Sequence, residues 1–122
     1  MIDAAELEYD ETTNSFAITK YYGTDETLSI QASVNNIPIT KTKDSSFYNC
    51  TTLKEVILPE DLTEIGAYTF QNCTNLTSIT LPKTLTNIGT YAFSMCNNFT
   101  TVYYNGSIND WCNILKPFII IY

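Results

Sequence analysis

The sequence predicts a mostly-β solenoid. Coils of 23 residues stack into a short parallel sheet, a β-hairpin caps the first coil and a short helical element caps the last. Three observations carry this reading. Residues 47–69 and 70–92 align without a gap and share 12 of 23 residues. The same step separates Phe47, Phe70 and Phe93, and also Cys50, Cys73 and Cys96, and it continues through Leu53, Leu76 and Phe99 and through Val56, Ile79 and Val102. Finally, one such coil cannot cover its own apolar side, so a chain that repeats it must bury each copy against the next.

In chain order, the first element is a hairpin with strands at about 6–11 and 16–22 and the turn "TTNS" between them. It caps the stack within a segment 1–25. The repeats run over 26–104 and a C-terminal cap over 105–122, all in one domain of 122 residues. "ETLSI" at 26–30 fits the strand position of a weaker first coil, with Leu28 and Ile30 inward. About five extra residues then precede Phe47, read as a loop near 35–38.

Each strong coil carries one strand of the form L-x-x-I-x-L. In the second, Ile79 and Leu81 face inward while Ser78 and Thr80 face out. Pro82 ends that strand because it has no N–H for the ladder. Leu85 and Ile88 re-enter the core across an irregular return segment. Gly89 reads as a turn conformation that a Cβ would hinder, and "TYAF" as a helical turn that sinks Phe93. After the last coil, Ser107 reads as an N-cap with Asp110 three residues on, and Trp111 should press on the stack. The apolar run "PFIIIY" at 117–122 must lie along the stack or against another copy.

Composition narrows the function. The net charge is −7, with six cations, all lysine, and no histidine. Nucleic-acid binding, which depends on clustered Lys and Arg, is excluded on this basis, and anionic membrane surfaces are disfavoured. Asp3, Glu6, Glu8, Asp10 and Glu11 read as a solvated acidic face. No apolar run approaches the ~18 residues of a membrane span. Residues 1–25 show no charged segment followed by an apolar one of the kind that marks a signal peptide. The chain therefore either stays inside the cell or begins at a trimmed start.

Catalytic and cofactor signatures are missing. There is no G-x-S-x-G, no histidine base and no phosphate-cradling glycine loop, so the chain does not read as an enzyme and implies no cofactor. Cys50, Cys73 and Cys96 share a column without a C-x-x-C pair, which reads as buried thiols and not as zinc. Pairing of Cys112 with Cys96 is the alternative kept open. Glu55, Glu60, Asp61 and Glu64 become Ser78, Lys83, Thr84 and Asn87 one coil later, the pattern of a solvated surface. The Asn-x-Thr/Ser triplets beginning at Asn49, Asn72, Asn75, Asn98 and Asn105 fall at repeat turns and read as turn chemistry.

What remains is the outward strand face. One column holds Thr27, Glu55, Ser78 and Thr101, the other Ser29, Ile57, Thr80 and Tyr103. Ile57 and Tyr103 depart from an otherwise hydroxyl-bearing array, and an exposed aromatic can anchor a partner. The expected role is a protein-binding face. The alternative is a structural unit that self-associates into a homo-oligomer through its apolar tail.

The run "FQNCTNLTSITLPKTLTNIGTYAF" resembles the BspA-like leucine-rich repeats, whose coil joins an L-x-x-I-x-L-P strand to an I-G-x-x-A-F turn and an N-C-x-x-L link. Two full copies and one fading copy carry the resemblance over about 26–104, and "VYYNGSINDWCNI" resembles a C-terminal element of bacterial members. The resemblance implies a leucine-rich-repeat solenoid. It also implies a secreted or cell-surface protein that binds other proteins, often in adhesion.

Overall fold

The structure, a computed structural model, describes residues 4–119, with only the helical backbone described for 115–119. The described residues form ten strands and one helix: β1 (Ala5–Asp10), β2 (Ser15–Tyr21), β3 (Thr27–Ser29), β4 (Ser33–Val34), β5 (Ile37–Thr42), β6 (Glu55–Ile57), β7 (Glu64–Ile65), β8 (Ser78–Leu81), β9 (Asn87–Ile88), β10 (Thr101–Tyr104) and α1 (Ile108–Ile119).

Two sheets enclose the core. The front sheet is parallel, in the order β10-β8-β6-β3, and each neighbouring pair is one coil apart in sequence. The back sheet runs β1-β2-β5-β7-β9. The return segments thus form strands of their own, where sequence reading expected irregular chain. Glu64 and Ile65 pair in parallel with Asn87 and Ile88, and Lys41 and Thr42 pair with Glu64 and Ile65. Strands of two residues are too short to show period-2 alternation, so the pattern hid them.

The N-terminal hairpin forms where expected, but it does more than cover an end. β2 pairs in parallel with β5 and so extends the back sheet. The expected loop near 35–38 is instead a tight β4–β5 hairpin. Asn35 and Asn36 both have positive φ, at 51° and 64°, the signature of a type I′ turn.

Between the sheets the 23-residue columns become stacks. Leu53 lies over Leu76 and Val56 over Ile79, all fully buried, and the series continues into Phe99 and Val102 at the last coil. An aromatic spine runs the length of the core. Ring centroids lie 5.2 Å apart for Tyr21–Phe47, 5.0 Å for Phe47–Phe70, 5.4 Å for Phe70–Phe93 and 5.0 Å for Phe93–Phe99, each pair stacked.

Polar ladders stitch the coil edges and explain why Thr and Asn are so common here. The hydroxyls of Thr63 and Thr86 donate to the carbonyls of Thr40 and Thr63. Those of Thr77 and Thr100 donate to Lys54 and Thr77. The amides of Asn75 and Asn98 donate to the carbonyls of Thr51 and Thr74, and Asn72 Nδ2 donates to Asn49 Oδ1 at 2.6 Å. Asn49 and Asn72 are also left-handed, at φ 61° and 62°, a conformation asparagine tolerates well. The triplet asparagines at 49, 72, 75 and 98 thus serve the turns and their ladders.

Gly89 corrects a sequence expectation. Its φ is not positive, as holds for every glycine described. A Cβ there would sit 2.4 Å from the Ala67 nitrogen and 2.5 Å from the Gly66 carbonyl carbon, so close approach of coils demands the glycine. The same column holds Gly66 above Lys43, and Lys43 keeps a side chain that reaches Glu8 at 3.6 Å.

At the far end the expected cap is present. Ser107 Oγ accepts from the Asp110 backbone N–H at 3.1 Å, and Trp111 packs on Tyr104 with centroids 5.2 Å apart. Residues 117–119 continue helix α1. The rest of that run, 120–122, lies outside the described residues.

The spine also carries a pH dependence. The Tyr21 hydroxyl is buried and donates to Asp25 Oδ2 at 2.7 Å. Burial, then the hydrogen bond to that carboxylate, pushes its pKa from 10.0 up to about 12. The fold therefore favours the neutral phenol. This contribution is intact below pH 10, the unfolded value, and disappears as pH rises through the folded value of about 12. Thermal melts should drop more between pH 9.5 and 12 for the wild type than for Tyr21→Phe; equal drops would show that this phenol does not titrate with unfolding.

Candidate functional site

The front sheet positions the expected face. Strand pairing aligns Thr27, Glu55, Ser78 and Thr101 in one row and Ser29, Ile57, Thr80 and Tyr103 in the next. Each strand is short because a turn or proline follows it, and alternation sends Leu28, Val56 and Ile79 inward and places these eight residues on the opposite side of the sheet.

Their exposure differs. Thr27 and Ser29 are exposed at the sheet edge, and Tyr103 at the opposite edge is 57% exposed. Glu55, Ile57, Thr80 and Thr101 are half-buried. Ser78 is the exception to the outward reading. It is 8% exposed, wedged between flanking rows, and its hydroxyl donates to Glu55 Oε2 at 3.4 Å. It supports Glu55 and offers a partner little surface. The face is therefore mildly acidic and hydroxyl-rich, with Ile57 and Tyr103 as its apolar points. Val102, beside Tyr103 but on the inner row, is 39% exposed because no coil covers it.

The cysteine column lies inside, away from this face. Cys73 Sγ donates to the Phe47 carbonyl at 3.1 Å and Cys96 Sγ to that of Phe70 at 3.0 Å. All four cysteines are free thiols, so Cys96 and Cys112 are not joined. Hydrogen bonding to Cys50 and Cys96, with burial, holds the Cys73 thiol far above the ordinary range. Among the described residues no group of three or more His, Cys, Asp or Glu is placed to hold a metal ion, and no helix is long and apolar enough to cross a membrane.

A second surface feature escaped the sequence reading. Tyr68 and Tyr91 stack at 5.7 Å on the turn edge, both left-handed at φ 58° and 57° and both exposed. Their 23-residue spacing was visible as the Tyr of "IGAY" and "IGTY", but a repeat position reads first as fold.

Parallel strands on one face, short returns on the other, and apolar columns at a constant step define a leucine-rich-repeat solenoid. The family described as "BspA type Leucine rich repeat region (6 copies)" matches residues 11–113, and the chain belongs to this family. Among solved structures it is similar to a leucine-rich-repeat protein of Treponema pallidum, with 25% identity and a TM-score of 0.80 over 84% of this chain and 48% of that one. It is also similar to a leucine-rich cell-surface protein of Faecalibacterium prausnitzii, with 29% identity and a TM-score of 0.74 over 85% of this chain and 31% of that one. A protein of Bacteroides capillosus shares the fold at 19% identity and a TM-score of 0.65, over 87% of this chain and 97% of that one. The chain thus spans about half of the first relative and a third of the second. No curated protein matches significantly.

Proposed function

We propose that this chain is a non-catalytic protein-binding module of the bacterial cell surface, using the front-sheet face from Thr27 to Tyr103. One observation supports this most: a registered, four-strand face that ends in a 57% exposed tyrosine, with Ile57 half-buried in the same row. Large aromatics are the usual anchors of protein interfaces. The cell-surface setting rests on the F. prausnitzii relative, which is described as a cell-surface protein.

Size sets the affinity regime. Four strands ~4.8 Å apart span about 19 Å. A patch of that width covers roughly 400 Å², half of the ~800 Å² that one side of a standard interface buries. Single-site binding is therefore weak, and useful avidity needs several copies or a longer stack.

Binding to a panel of immobilised extracellular proteins tests the face. Tyr103→Ala and Ile57→Ser should each weaken the positive interaction by about 5–30-fold, the range of a moderate to strong anchor. Neither should shift the melting temperature appreciably. Wild-type binding by both variants would show that the front sheet is the wrong surface.

A further inference from the structure

The side-chain donors at these turns point toward the preceding coil: Asn72 to Asn49, Cys73 to Phe47, Asn75 to Thr51. Beneath the coil that carries Asn49 and Cys50 lies the weaker first coil, which lacks the Asn-Cys link. In its place is a cleft of about 380 Å³, where residues 20–24 of the cap meet residues 48–52. Its volume falls within the ~300–1,000 Å³ of ligand sites. The Asn49 amide and the half-buried Cys50 thiol line this cleft without the acceptors their column-mates have.

Lys20 lines it too, and the two ion pairs among the described residues involve Lys43 and Lys54 instead. The nearby acids are already engaged, Asp25 by the Tyr21 hydroxyl and Glu26 by Lys54. The lining itself thus holds one cation and no carboxylate, in a chain whose overall charge is −7. Two tyrosines flank it, Tyr22 at 60% exposure and Tyr48 at 47%. The repeat does not require Tyr48, since the next coils carry Gln71 and Ser94 at that position.

We propose that this cleft binds a carboxylate-bearing sugar, with the pyranose ring against the tyrosine faces and the carboxylate received by Lys20 and Asn49. Aromatic faces match the C–H face of a sugar ring, and charge-assisted donors match the acid group.

Titration of the full chain with glucuronate, followed by backbone amide shifts, is the test. Residues 20–24 and 48–52 should move together with a dissociation constant on the order of 1 mM. Lys20→Gln should weaken this about tenfold, the effect of one charge-assisted contact. Tyr48→Ala should abolish it, and both variants should stay folded because neither side chain lies in the core. Glucose and acetate should each bind far more weakly than glucuronate. Three results would overturn the proposal: no shift at these residues, equal response to glucose or acetate, or unchanged binding in both variants.

Discussion

Phe70→Ala should remove a large share of the molecule's stability. Phe70 is fully buried and stacked between Phe47 and Phe93, at 5.0 Å and 5.4 Å. Removing a core phenylalanine costs about 3–5 kcal/mol through lost transfer energy and the cavity left behind. Domains of this size hold only about 5–15 kcal/mol in total. Each kcal/mol moves the melting temperature by roughly 3–6 °C at this length, so a drop on the order of 10–25 °C is expected in a calorimetric scan. The matched control is Phe93→Ala. Phe93 is only half-buried at the thinner end of the stack, so its loss should cost visibly less. Equal costs at 70 and 93 would contradict a core that is densest in the middle coils.

Gly89→Val should destabilise by about 3 kcal/mol, the upper range for overpacking, and Gly89→Ala by somewhat less. The atoms in the way are backbone: the Ala67 nitrogen and Cα and the Gly66 carbonyl carbon. A side chain can rotate aside, but these atoms move only if two coils separate. That separation would also stretch the hydrogen bond from Gly89 N to the Ile65 carbonyl, now 2.7 Å. Lys43→Ala, in the same column, removes only an exposed ion pair and should be near neutral in the same melts. A tolerated valine at 89 would mean the coils are not in such close contact.

The contrast between Gly89 and Lys43 shows how much of the fold was legible in the sequence. The period, the strand register, the inward columns and both caps could be read directly, because stacking forces identical positions onto one another. The back sheet was not legible: its strands β7 and β9 are two residues long, and no alternation fits in two residues. The role of the glycines was misassigned for a related reason. Whether a glycine answers to φ or to a neighbour depends on what lies beneath it, and that is a property of the stack. Tyr21 was likewise read as a hairpin residue, and only the folded chain brings it under Phe47.

The candidate face was legible to the same degree. Its two rows follow from the repeat, and pairing aligns them as the spacing requires. The near-complete burial of Ser78 could not be anticipated, since it depends on the size of Glu55 and its neighbours in the adjacent rows. The cleft beside Lys20 was also hidden, because it exists where the repeat stops, and a periodic pattern describes only what continues.

Nuclear Overhauser contacts between consecutive coils test the central claim most directly. In-register stacking predicts contacts from the Leu53 methyls to those of Leu76 and from the Leu76 methyls to the Phe99 ring, with amide contacts along Ile57, Thr80 and Tyr103. Absence of these contacts in a folded sample, or contacts displaced by one or two residues along a strand, would contradict it.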